Sequence, residues 1–312
     1  MKKVEFITAD KCSRRSISKI AGVALLIFVF MLASARTMSQ VATYYNFSQS
    51  SGTYTPATSG FIDTTGSATT TPASIFATTW DDTYAIFRLP FAFTYNGTLY
   101  AAGTGRIGLD TDGWLTFSNG NPNMSGSTGS GASWVSISDQ TGVYFYGTAI
   151  ANGFAGFNCD LNEQTFTTIT GTLTSGNNTI TGVSSTANIA IGTRLSGTGI
   201  SDGTIVVAFT VNTITMSANA TSNGVQTITP RSAIFGFVSG TAPNRKFVIQ
   251  WTQAKRYSST GENINLQMIL NEGNANPTLQ TLQVVYGTCT ATSATALETQ
   301  VGLKGATTSD FN

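Results

Sequence analysis

The sequence predicts an all-β protein, an antiparallel β-sandwich with a small inserted β module. Threonine occurs 52 times and glycine 32 times in 312 residues, while charged residues make up only 10%. That mixture suits strands and turns, whereas helical bundles draw on Ala, Glu, Lys and Leu. Apolar residues recur at period two in several segments, and no stretch after residue 40 keeps a helical period over three turns. Turn residues punctuate these segments at short intervals.

In chain order, the first element is an address. Residues 1–19 hold Lys2, Lys3, Lys11, Arg14, Arg15 and Lys19, residues 20–32 are apolar, and Ala33-Ser34-Ala35 follows. Basic region, apolar region and small-residue site form the order of a secretory signal peptide, here residues 1–35. The apolar run is shorter than the roughly 20 residues a membrane span needs. Cleavage is expected after Ala35, with a site near Gln40 or an uncleaved signal anchor as alternatives. Seven of the 16 basic and two of the 15 acidic residues precede position 41, which leaves 9 basic against 13 acidic, a net charge of −4. Such a chain offers no phosphate-binding stripe, so nucleic acid is not an expected partner. No membrane span is expected after signal removal.

The sandwich is expected over residues 41–167 and 230–312. Phe87, Leu89, Phe91, Phe93 and Tyr95 share one face of a strand that Pro90 interrupts. Asn96-Gly97 then marks a tight hairpin. Asp110-Thr-Asp-Gly113 marks a second, between strands ending at Leu109 and starting at Trp114. Ile264, Leu266, Met268 and Leu270 define another buried face, and residues 246–251 and 279–286 alternate similarly. Residues 118–133 are rich in Gly, Ser and Asn and read as a mobile surface loop.

Residues 168–229 differ from their surroundings, with Arg194 and Asp202 as their only charges. Glycine turns separate short β-type runs, and the entry at 165–170 and the exit at 225–229 have the composition to pair antiparallel. The expectation is a self-contained inserted module with few core residues crossing its boundary.

Several segments together resemble a family of secreted bacterial surface proteins, often exported by the type IX secretion system, that begin with a nidogen-like β-sandwich. They are residues 45–56 (YNFSQSSGTYTP), 90–98 (PFAFTYNGT), 112–117 (DGWLTF), 240–251 (GTAPNRKFVIQW), 263–273 (NINLQMILNEG), 284–287 (VVYG) and 300–303 (QVGL). The insert resembles Thr/Gly-rich modules repeated in bacterial and phage surface proteins. The resemblance implies a fold and an extracellular or cell-surface location. It brings no shared catalytic motif.

Chemistry is sparse. Histidine is absent, which removes Ser–His–Asp triads, Cys–His dyads and imidazole metal sites. Asp110-Thr-Asp-Gly113 is similar to the start of a calcium loop, but its fifth position is Trp114 and its twelfth is Asn121, so a hairpin turn is expected instead. Trp80, Asp81, Asp82 and Trp134 are the candidates for glycan contact, set against a core role for the tryptophans and a solvated strand end for the acids. Trp114 and Trp251 are expected in the core. Thirteen acids beyond the signal could supply a glycosidase pair, but their spacing singles out none. Cys159 and Cys289 either pair as a disulfide or remain buried thiols.

The expected function is therefore a secreted or cell-surface, non-enzymatic module for adhesion or extracellular matrix contact, with a glycan or protein surface as partner. The alternatives are a carbohydrate-binding module ancillary to polysaccharide degradation and a hydrolase with an unrecognised carboxylate site. No cofactor is implied.

Overall fold

The computed structural model of the chain describes residues 44–67, 79–122, 124, 151–257, 259–290 and 299–305. The signal segment 1–35, Trp134 and most of residues 118–133 lie outside the described residues. Among those described, no helix is long and apolar enough to cross a membrane, and nearly all regular structure is antiparallel strand.

The chain begins with β1 (Phe61–Ile62) and β2 (Tyr84–Arg88), then the hairpin of β3 (Phe93–Tyr95) and β4 (Thr98–Tyr100). Next come β5 (Arg106–Asp110), β6 (Trp114–Ser118), β7 (Gly153–Asn158) and β8 (Leu161–Asn162). The insert supplies β9 (Ile169–Leu173), β10 (Thr179–Thr181), β11 (Arg194–Ser196), β12 (Val206–Phe209), β13 (Thr213–Met216) and β14 (Gly224–Arg231). The chain returns as β15 (Ala233–Ser239), β16 (Lys246–Arg256), β17 (Ile264–Asn271), β18 (Thr281–Tyr286) and β19 (Gln300–Lys304).

One sheet runs β1-β15-β16-β17-β18, with β8 paired to the end of β16; the other runs β19-β7-β6-β5-β2. Their inner faces share a single core. Phe87, Ile107, Leu109, Leu115 and Phe117 come from the second sheet, with Leu89 just beyond β2; Ile249, Trp251, Leu266, Met268 and Leu270 come from the first. The period-two reading thus places these residues correctly, because alternate side chains of a strand point to one face. Phe91, Phe93 and Tyr95 join the same core, although the run breaks at Pro90 into two strands. Tyr95 stacks on Phe117 at 4.4 Å, and its hydroxyl donates to Lys304 O at 2.9 Å. The Trp251 indole N–H donates to Thr111 O at 2.9 Å. Trp114 is also buried, beside Met124 and Ala155.

Both expected hairpins form. Asn96 and Gly97 have φ of 49° and 74°, the left-handed pair that a two-residue turn between twisted strands requires. At the second, Asp112 N–H donates to Asp110 Oδ1 at 2.9 Å and Leu161 N–H to Asp112 Oδ1 at 2.9 Å. Gly113 sits at φ 82°, where a Cβ would lie 2.6 Å from Phe157 O.

The insert strands form their own sheet, ordered β11-β14-β9-β10-β13-β12. Entry and exit pair antiparallel from Ile169↔Ile228 to Leu173↔Gly224. An isolated bridge joins Arg194 in β11 to Ile205, the residue just before β12. Ile169, Leu173, Ile180, Leu195, Ile214 and Ile228 fill its interior, while Thr170, Thr181 and Thr227 face solvent.

The boundary of the insert is not bare, contrary to the sequence expectation. Ile205 and Val207 pack with Ala233, Phe235 and Phe237 on the outer face of the β15–β16 region. Thr193 donates to Gln253 Oε1, and Gln253 Nε2 donates to Asn188 O at 3.3 Å. Gly192, at φ 95°, fits only because it lacks a Cβ, which would stand 2.7 Å from Thr252 Oγ1. The insert and residues 54–57 therefore form a third layer over this sheet. Beneath that layer lie Gln250, Thr252, Asn265 and Gln267, all buried. Gln267 Nε2 donates to Thr55 O at 2.8 Å and to Gln250 Oε1 at 2.7 Å, and Gln250 Oε1 also accepts from Ala57 N–H at 3.2 Å. Buried amides need such partners, because an unmade hydrogen bond there costs about 1–3 kcal/mol.

Candidate functional site

Three aspartates gather where β8 meets the end of β16. Asp81 bridges Asn162 in β8, Asn162 pairs with Lys255 in β16, and Asp160 lies in the short link from β7 to β8. One carboxylate oxygen from each of Asp81, Asp82 and Asp160 lies within 4.8 Å of the others, and all three residues are half-buried. Asp82 holds a φ of 43°, a left-handed conformation that Asp tolerates better than most residues.

The electrostatics follow from that crowding. Partial burial pushes the Asp160 carboxyl up to about 6, with Asp82 and Asp81 adding repulsion and Lys255 partly offsetting both. Burial, with repulsion from Asp82, raises Asp81 as well. Three hard oxygen donors at this spacing could hold a divalent cation such as Ca²⁺ or accept hydrogen bonds from a polyol. Among the described residues, this is the one cluster of metal-type ligands. Sequence reasoning picked out Asp81 and Asp82 from their adjacency; Asp160 reaches them only through the pairing of β8, which no local pattern announces.

The other candidates are placed differently. Trp80 is 1% exposed and belongs to the sandwich core, so its ring offers no face to a sugar; its place is packing. Trp134 lies outside the described residues. Cys159 and Cys289 are free thiols rather than a disulfide. Cys159 packs against the core, where burial pushes its thiol up to about 11. Cys289 donates to Asn265 O at 3.5 Å beyond the end of β18, so the two thiols are engaged in different surroundings.

Three glutamates are held by arginines. Glu163, Glu262 and Glu272 pair with Arg194, Arg256 and Arg245 respectively. Glu163 also accepts from Trp80 N–H at 3.2 Å and lies 3.5 Å from Arg231. The arginine beside each of Glu262 and Glu272 holds its carboxyl below the usual range. A carboxylate so paired is a poor proton donor.

The two packed antiparallel sheets and the inserted sheet together define an all-β sandwich module. Residues 156–312 match the model of the family described as NIDO related, and the chain belongs to that family. The match begins within β7 and runs through the insert to the end of the chain, and it supports the nidogen-like resemblance. No curated protein and no solved structure matches.

Proposed function

We propose that the chain is a secreted or cell-surface, non-enzymatic β-sandwich module that acts in adhesion or extracellular matrix contact, within the type IX secretion-associated group its segments resemble. The observation that supports this reading most is its membership of the NIDO-related family. The pairing of Glu163, Glu262 and Glu272 with arginines also favours a structural rather than a proton-transferring use of those acids. The test is binding of the mature protein to immobilised matrix proteins and to a glycan array, with turnover of polymeric substrates measured alongside. Saturable binding without turnover is expected. Turnover that Asp160→Asn abolishes would replace this reading with the hydrolase.

A carbohydrate-binding module is the second reading, favoured by the Asp81, Asp82 and Asp160 carboxylates at one end of the sandwich. Glycan-array signal lost in Asp81→Asn/Asp82→Asn, with protein partners unbound, would select it.

A further inference from the structure

We propose that the outer edge of β18 is a pairing edge for a second copy of this chain, and that residues 45–54 are a strap that keeps it closed. β18 ends its sheet order, paired on one side with β17. Among the described residues, no other strand pairs with its outer side. An open edge presents unpaired N–H and C=O groups, and proteins ordinarily blunt it with charge, proline or brevity. Two of the other edges of the sheets follow that rule: β1 has two residues and β2 ends in Arg88. β18 reads TLQVVY, and no charged residue occurs anywhere from 273 to 297.

The strap is tied at both ends of this strand. The Tyr45 hydroxyl contacts Thr94 O at 3.5 Å and accepts from Asn96 N–H at 3.2 Å. Thr94 N–H donates to the side chain of Gln280, one residue before β18. At the other end, a Cβ on Gly287, one residue after β18, would lie 3.0 Å from the Tyr54 ring, and Thr55 O is held by Gln267. A strand from 280 to 287 spans about 24 Å, and nine steps from 45 to 54 reach about 30 Å at most. The segment between the anchors is therefore long enough to run along β18. Residues 46–53 are all exposed, with Phe47 at 80%. Held at its two ends and exposed between them, this segment is the cover assigned to the edge, and it can be displaced.

The second copy is favoured as occupant because the edge is complementary to itself. Leu282 and Val284 pack on the inner core, while Val285 joins the outer cluster. Residues directly opposite in an antiparallel pair point to the same face, so a two-fold axis must pass through a residue rather than between residues. Centred on Gln283, it sets Leu282 against Val284 and the two Gln283 side chains against each other. Both members are neutral, so no charge repels the approach.

The test is sedimentation velocity on four mature chains over a concentration series. They are the wild type, Tyr45→Ala/Tyr54→Ala, the same pair with Gln283→Lys, and a chain lengthened by an eight-residue Gly/Ser insertion after Ser50. The last keeps both anchors and touches no core residue, so it serves if the tyrosine variant fails to fold. The wild type is expected to be monomeric. Strap release should tighten dimerisation by about tenfold or more, roughly 1.4 kcal/mol or more, and Gln283→Lys should reverse it by placing like charges face to face. A folded released chain that stays monomeric overturns the proposal. So does a dimer indifferent to Gln283→Lys, or a wild type that already dimerises as strongly as the released chain.

Discussion

Replacing Arg194 by Met would test how the insert is held to the sandwich. Arg194 and Glu163 are an ion pair with side chains 5% and 0% exposed. Removing one partner of a buried pair costs about 3–5 kcal/mol, because the other charge stays behind without compensation. Here the abandoned Glu163 retains Trp80 N–H at 3.2 Å and Arg231 at 3.5 Å, which argues for the low end, about 3 kcal/mol. At roughly 2–4 °C per kcal/mol for a domain of this size, the midpoint should fall by about 6–12 °C. Glu163→Gln should cost about 3–5 kcal/mol as well, since it leaves the buried Arg194 guanidinium facing a neutral amide. The assay is urea unfolding followed by tryptophan fluorescence at pH 7. The double variant Glu163→Gln/Arg194→Met should cost less than the sum of the two, because it leaves no stranded charge. A single variant costing under about 1 kcal/mol, or a strictly additive double, would refute the reasoning.

Asp160→Asn should stabilise the protein at pH 7. Its folded carboxyl lies near 6, above the ordinary value, so the folded state holds the proton more tightly and the ionised group opposes folding. That opposition fades as pH falls through about 6, and thermal melts at pH 5 should show a smaller gain than at pH 7. Trp251→Phe should cost about 1–3 kcal/mol in denaturant titration, since it leaves Thr111 O without its donor in a sealed core. Gly192→Ala should also destabilise by about 1–3 kcal/mol, because its Cβ has nowhere to go against Thr252 and the backbone sits at φ 95°. Excision of residues 171–224 should leave a sandwich that melts lower and exposes Phe235 and Phe237 to a hydrophobic dye. An unchanged melting point would show that the Ile205 and Val207 contact contributes nothing.

The inner face of the sandwich was legible because alternation reports directly on which side of a strand faces a core. Phe87, Leu109, Leu266 and Met268 needed no more than their spacing. The same rule is silent on the opposite face, where Gln250, Asn265 and Gln267 are buried under the third layer. Their burial depends on residues 54–57 and on the insert crossing the sheet, and such tertiary placement leaves no periodic trace. The candidate site was half visible for a related reason. Adjacent Asp81 and Asp82 stand out locally, while Asp160 arrives from some eighty residues away through strand pairing. Trp80 shows the converse: an aromatic beside two acids suggested an exposed platform, but its area is worth more to the core than to the surface.

The paired entry and exit of the insert have a mechanical consequence. The two connections lie side by side, with Phe166 N–H bonded to Pro230 O and Thr165 bridged to Arg231, so tension on the insert reaches the sandwich at one point. The Ile205 contact and the Arg194–Glu163 pair must yield before those two strands carry the load. Pulled through its insert, the module would therefore lengthen in two steps. The first, a swing of the insert away from the sheet, parts the Ile205–Phe235 cluster and leaves the core between the two sheets in place.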